Sequence, residues 1–384
     1  LHVRSRRQRQ MCIRDRIYWV VFFILFLFSY VELISARQSL VLLRCVILFI
    51  ACMVGFRYNI GADWETYVII YNRQIPSLLD PEYRILMEPL FWILGSLCKT
   101  LGLSYACFFI ILSLISFVVL FIVIRRIGCG YIYLPILLYF CLFFCQFQLN
   151  IVRHGIMASF VWLAFSYIKE CSLKKFVFFL LIAAGFQLAA LAFFPFYFLL
   201  NRCYMQKSVV TLIFISLIFV MLGVSQKILL LGTKIPVFGE FVNYYILDFY
   251  GRNVDASYGF SVGMIVNLFL FLFLYFGMRS VYNDISNHLK IFVNLLLYSF
   301  ILSCFFNAYA VFVERLVSVT NMTLLFILPY VLHKIFIGKV NKTIAFACIV
   351  VYAMLMFTKT LYTPVPLGGK YEYQFIPYQY SFVI

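Results

Sequence analysis

The sequence predicts an all-α, polytopic transmembrane helix bundle of about 10–12 membrane helices, one or two of them re-entrant or broken. Three observations carry this. Apolar residues fill 65% of the 384 positions and charged residues only 12%, against about 45–50% and 25% in soluble domains. Mean hydropathy is +1.01. Apolar stretches of about 15–25 residues recur along the whole chain. A soluble globular protein is excluded, and so is intrinsic disorder, which needs low hydrophobicity and high charge.

Residues 1–16, LHVRSRRQRQMCIRDR, hold six Arg and one Asp. They resemble a translated tagmentation-type sequencing adapter and are set apart from the fold as an artefact. The other reading is a polybasic segment that binds anionic lipid. Without them the net charge falls from +17 to +12. Residues 17–362 then read as one transmembrane domain and 363–384 as a short tail. Full spans are expected over 17–34, 40–56, 104–124, 131–148, 154–168, 208–224, 259–278, 291–307, 318–332 and 343–362. Two apolar pieces fit a re-entrant or broken helix. One is 88–101, which opens with Glu88-Pro89; the other is 176–200, interrupted by Gly185, Gln187 and Pro195.

Lys and Arg orient the bundle. If both broken pieces return to the side they left, one set of turns gathers 13 basic residues against two acids. That set is cytoplasmic by the positive-inside rule. The loops 57–86 and 225–258 and the tail then face outward, so a substrate site opens on the outer leaflet. The basic residues are dispersed over turns, which argues against nucleic acid as a partner.

Few polar groups are left to carry chemistry. Arg57-Tyr58-Asn59-Ile60-Gly61-Ala62-Asp63-Trp64-Glu65-Thr66-Tyr67 follows directly on a span. Gly61 allows a tight turn or a close backbone approach. Asp63 and Tyr67 share a face if this stretch is helical. Arg57 is able to hold a phosphate bidentately, and a snorkelling Arg beside an interfacial aromatic belt is the plainer reading. Arg153-His154 sits between two apolar runs, where Arg is costly, although a turn lets it reach water. Gln187 suits an interhelical hydrogen bond. Glu314 and Arg315 are adjacent, about 100° apart on a helix. Arg57, Arg153 and Arg315 lie at outer ends of three spans and form an anion site if they converge. Eleven cysteines besides Cys12 lie singly or as Cys141/Cys145 and read as small buried residues, with no metal-ligand cluster. No Walker, G-x-S-x-G or H-E-x-x-H pattern occurs, so an ATP-driven transporter with its own nucleotide-binding domain is excluded.

Taken in order, these motifs resemble the EpsG-like family of bacterial exopolysaccharide polymerases, related in role to Wzy O-antigen polymerases. The residues are Arg57…Gly61-x-Asp63-x-x-x-Tyr67, Glu88-Pro89-Leu90-Phe91, Arg153 opening a span, a polar residue after Gly185-Phe186, Arg315-Leu316, and Pro377-Tyr378-Gln379-Tyr380. The resemblance covers nearly all of the chain after residue 36. It implies a multi-pass protein of the bacterial cytoplasmic (inner) membrane that polymerises polyprenyl-pyrophosphate-linked oligosaccharide repeat units at the outer face. The bilayer and other polysaccharide-assembly proteins are the implied partners, and no cofactor is implied. The family usually shows Arg-Gln where this chain has Arg153-His154, and Phe-His where it has Phe186-Gln187. An amide does not titrate usefully, so Gln187 cannot replace a His that serves as base.

The chemistry consistent with both lines places Arg57, Arg153 and Arg315 on the departing pyrophosphate. Asp63 or His154 acts as base. Tyr67, Trp64 and Tyr58 stack on sugar rings, with Gly61, Gln187 and Glu314 completing the binding set. Three other readings remain: a flippase for lipid-linked sugars, which often shows internal repeats; a membrane O-acyltransferase, which normally relies on an essential His; and a non-catalytic assembly subunit.

Overall fold

A run of Leu, Ile, Val and Phe gives the backbone no polar partner but itself, and in hydrocarbon the α-helix is the structure that satisfies it locally. The computed structural model describes residues 16–36, 38–81, 83–224, 234, 262–277, 288–306, 313–336, 338–363 and 373–381. Most of the expected loop 225–258, the start of 308–317 and part of the tail lie outside the described residues, as do residues 1–15. The described residues form α1 (Arg16–Ser35), α2 (Leu40–Phe56), α3 (Trp64–Ile69), α4 (Pro89–Thr100), α5 (Tyr105–Ile127), α6 (Tyr133–Leu142), α7 (Val152–Phe165) and α8 (Leu173–Phe186). They continue with α9 (Phe196–Leu200), α10 (Gln206–Met221), α11 (Val262–Gly277), α12 (His288–Phe305), α13 (Ser318–Asn321), α14 (Leu324–Lys334) and α15 (Lys339–Leu361). Four segments of 20–23 residues are long and apolar enough to cross a membrane: Arg16–Ser35, Tyr105–Ile127, Arg315–Lys334 and Lys339–Leu361. Exposed Phe23, Leu27, Val41, Phe178, Leu181 and Leu355 make surfaces suited to lipid. The chain is a multi-pass, all-helical membrane protein.

Two compact units divide the chain, Leu1–Phe194 with Leu324–Ile384, and Pro195–Thr323. In the first, α6 lies against α1, α14 and α15, and its residues Tyr133–Cys141 are all buried. A helix apolar on every side belongs inside. Helices α2, α5, α7 and α8 pack in succession, and α4 rests on α8. Gly185 permits that contact, since a Cβ there would meet Leu90 at 2.6 Å. In the second unit, α12 packs on α10 and α11, with Met264, Phe300 and Cys304 at the core. The Asn294 amide donates to the carbonyls of Leu200 and Arg202 at 2.8 and 2.9 Å, closing the α9–α10 turn.

One expected span differs, and one expected break is present. The stretch 131–148 is not one helix: α6 ends at Leu142, and a π-helical turn, Cys145–Asn150, follows. Its wide backbone turns Gln148 inward, where Gln148 Nε2 donates to Tyr139 Oη (2.7 Å) and Ser116 Oγ (3.0 Å). Gly155 lets α7 fold back on this turn, because a Cβ there would lie 2.4 Å from the Phe147 carbonyl oxygen. The stretch 176–200 is a broken helix, as its interruptions suggest. Gln187 leaves the helix at φ −160°, ψ 123°, and a 3-10 turn, Leu188–Phe193, follows. The cysteines differ too: Cys98, Cys129, Cys141, Cys145 and Cys304 are buried, but Cys45, Cys171, Cys203 and Cys348 are exposed. Composition alone does not say which face of a span meets lipid.

One buried acid ties the first unit together. Glu32, near the end of α1, accepts from the amides of Ile132 (2.8 Å) and Tyr133 (2.9 Å) and from Gln38 Nε2 (2.7 Å). Those two amides open α6 and lack intrahelical acceptors, and a negative charge there suits the helix dipole. Glu32→Ala is expected to cost about 2–5 kcal/mol, because it leaves these donors dry; a thermal melt of the detergent-solubilised protein checks this, and Glu32→Gln should cost less. Gly61, at φ +88°, presses on the turn before α7: a Cβ would sit 1.9 Å from the Leu149 carbonyl oxygen. Gly61→Ala is therefore expected to cost at least about 2 kcal/mol in the same melt.

Candidate functional site

The loop after α2 and the turn before α7 are held against each other. The Asp63 amide donates to Asn150 Oδ1 at 3.2 Å, and Gly61 lies on Leu149. Asp63 is the N-cap residue of α3, and the Tyr67 amide donates to its carbonyl at 3.0 Å. The side chains of Asp63 and Tyr67 thus share one side of a short helix, as their spacing predicts.

Arg153 sits in the first turn of α7. Of that helix's fourteen residues, only Arg153 and Phe160 are not buried. Its Nη1 lies 2.6 Å from Glu88 Oε2, with the two side chains 22% and 16% exposed. The guanidinium carbon stands 5.8 Å from the Tyr67 ring centre and 5.5 Å from that of Phe91. Burial pushes the Tyr67 phenol up, with the Arg153 charge pulling the other way. Glu88 directly precedes α4, so three separate elements meet at this cation.

His154, the next residue, points inward and is 1% exposed. Its Nδ1 lies 3.0 Å from Gln187 Oε1, at the break after α8, and its ring packs on Phe147 at 5.5 Å. With the amide oxygen accepting, Nδ1 is the donor. His154 and Gln187, two of the polar intrusions singled out in the sequence, therefore bond to each other.

Arg57 is placed differently from the expectation of an open phosphate ligand. It caps the C-terminus of α2 and is 0% exposed. Nη1 donates to the Val54 carbonyl at 2.5 Å, and the guanidinium lies 4.7 Å from the Phe109 ring centre. Nε and Nη2 have no hydrogen-bond partner among the described residues. Burial pulls its pKa down to about 10, partly offset by the phenols of Tyr378, Tyr18, Tyr67 and Tyr105. It stays cationic at neutral pH. Residues 373–381 of the tail cover it: Arg57 pairs antiparallel with Tyr380, the Tyr58 amide donates to Gln379 O (2.9 Å), and the Ser381 amide donates to Phe56 O (3.0 Å). Tyr378 Oη donates to Met53 O at 2.7 Å and Tyr18 Oη to Phe375 O at 3.0 Å.

The expected sugar-stacking aromatics are mostly inside. Trp64 and Tyr67 are buried, packed on Tyr58, Tyr105, Phe91 and Phe109, because the apolar face of so short a helix must be covered. Tyr58 is the exposed one, at 44%. Arg315 belongs to the second unit, half-buried in the π-helical turn Val313–Val317. The Glu314 side chain lies outside the described residues. The structure thus brings Arg57, Gly61, Asp63, Tyr67, Arg153, His154 and Gln187 together within one unit. Glu88, absent from the predicted site set, joins them; an acid directly before Pro at the head of an apolar run was its signal.

Comparison with protein families matches residues 40–380 to the EpsG family. No curated protein and no solved structure matches the chain. The family match takes in both helix breaks, the Arg153–Glu88 pair and most of the strap over Arg57; the chain belongs to the EpsG family, a membership that points to exopolysaccharide synthesis.

Proposed function

We propose that the chain polymerises polyprenyl-pyrophosphate-linked oligosaccharide repeat units at the outer face of the bacterial cytoplasmic membrane, as a glycosyltransferase-type polymerase. Family membership and the charge asymmetry of the turns support this reading. The observation that carries it is Arg153, a cation at the foot of a buried helix, partly open and flanked by rings. Joining two units breaks the bond between a sugar's anomeric carbon and the pyrophosphate, so negative charge grows on the leaving group. A guanidinium already fixed in a low-dielectric wall stabilises that charge without reorganising. Arg57, sealed beneath the C-terminal strap, adds positive potential without contact. Arg315 keeps, as a proposal, the role of anion ligand that the sequence reading gives it. Glu314 keeps its proposed place in the binding set beside it. Tyr58 offers an exposed ring to the glycan.

The His154–Gln187 bond bears on activity. The family usually carries the amide where this chain has His154 and the imidazole where it has Gln187. Here the two are exchanged across one hydrogen bond, so the pair is kept in reverse. Its role is to hold the first turn of α7, and with it Arg153, against the break after α8. Asp63, half-buried beside Tyr67, is a candidate proton acceptor at the same site.

Arg153→Ala is expected to leave single repeat units on the lipid carrier, with polymerisation about 10²–10³-fold slower; gel analysis of extracted glycans checks this, and long polymer in that variant rejects the clamp. Arg315→Ala should act in the same direction. His154→Gln alone should shorten the polymer sharply. The double variant His154→Gln/Gln187→His should restore most of it, since the bond is rebuilt; a double variant no better than the single one rejects the exchanged pair.

A further inference from the structure

Glu88 occupies the N-cap position of α4, with φ −56° and ψ 131°. A carboxylate there ordinarily accepts from the first-turn amides and gains from the helix dipole. This one makes no such bond. Pro89, the first helical residue, has no N–H to offer, but the later amides of the turn do. The side chain runs instead to Arg153 Nη1 at 2.6 Å. Arg153 is its single side-chain partner among the described residues. The pair is partly open to solvent, where ion pairs add little stability. Stability is therefore a weak reason to give up the cap. The place of the carboxylate is more telling: it sits on the guanidinium that the polymerase reading gives to pyrophosphate. Carboxylate and phosphate oxygens compete for the same N–H donors.

We propose that Glu88 is the catalytic base of this site, and that without substrate it holds on Arg153 the position that a pyrophosphate oxygen takes. The inference rests on the polymerase reading. When the lipid-linked donor binds, its pyrophosphate displaces the carboxylate from Arg153. Glu88 is then a free acceptor at the rim. The acceptor sugar's hydroxyl oxygen attacks the donor's anomeric carbon, and its proton passes to the Glu88 carboxylate. The bond from that carbon to the pyrophosphate oxygen breaks. The electron pair leaves with the pyrophosphate, whose charge Arg153 holds. The two alternative bases are less well placed. His154 is buried and engaged with Gln187, and Glu88 is the carboxylate bonded to the Arg153 guanidinium.

The test uses the full chain in phosphatidylcholine nanodiscs, with Glu88→Gln and Glu88→Asp. One arm measures binding of geranylgeranyl pyrophosphate, with inorganic pyrophosphate alongside to separate a lipid-borne group from a free one. The other arm measures joining of a synthetic lipid-linked repeat unit. Removing the internal competitor should tighten binding of the lipid pyrophosphate in Glu88→Gln by about two- to fivefold. Joining should fall by about 10²–10⁴-fold and be partly kept in Glu88→Asp. Weaker binding together with lost joining makes Glu88 a mere prop for Arg153 and overturns the proposal. Undiminished joining in Glu88→Gln also overturns it. If the wild type binds but joins nothing, the polymerase reading falls; the binding arm still decides whether Glu88 and pyrophosphate exchange.

Discussion

A backbone that leaves the helix at membrane depth must find its hydrogen bonds inside the protein, because hydrocarbon offers none. The chain breaks helices at Phe143–Ile151 and at Gln187, and the first turn of α7, with Arg153 and His154, is arranged around those breaks. The π-helical turn keeps its amides bonded and turns Gln148 into a buried chain with Tyr139, Ser116 and Ser159. The exit from α8 places the Gln187 amide against His154. Each break is thus stitched to its surroundings by polar side chains, and the first turn of α7 lies between the stitches. Arg153 is rigid for that reason: its helix is buried almost throughout, and its neighbour is bonded across to another helix.

Two arginines expected to act alike are used in different ways. Arg57 is sealed, stacked on Phe109 and covered by the C-terminal strap, with two guanidinium nitrogens unmatched among the described residues. Fixing a buried charge there costs stability, and the surrounding phenols only partly offset it. In return it ties the end of α2 to the tail. Arg153 is left partly open, and its carboxylate partner is a group that an anion can replace. The difference follows from what covers each position, which residue type and spacing do not encode.

Much of the fold was legible because apolar runs and helices are the same thing in lipid. The helix Leu40–Phe56 begins and ends where its apolar run does, and Arg16–Ser35 matches its run within a residue at each end. The break after Gly185-Phe186 was legible from Gln187 and Pro195. The break at Phe143 was not, although Gln146, Gln148 and Asn150 interrupt the run there; the close approach of Gly155 to Phe147 beside the π-helical turn is a contact made by packing. Likewise His154 and Gln187 were each visible as polar intrusions, but their bond spans 33 positions. Glu88 and Arg153 are 65 positions apart. Glu32 was not singled out in the sequence: it is one acid inside an apolar run, and its purpose depends on amides 100 residues away.

The central claim is that a fixed guanidinium holds a departing pyrophosphate while one lipid-borne glycan is joined to another. Reconstituted wild-type protein in liposomes, given only a synthetic lipid-linked repeat unit, tests it most directly. The account predicts one polyprenyl pyrophosphate released for every linkage formed, and a ladder of whole-unit multiples. Units carried across the bilayer with no linkage formed and no pyrophosphate carrier released would contradict it.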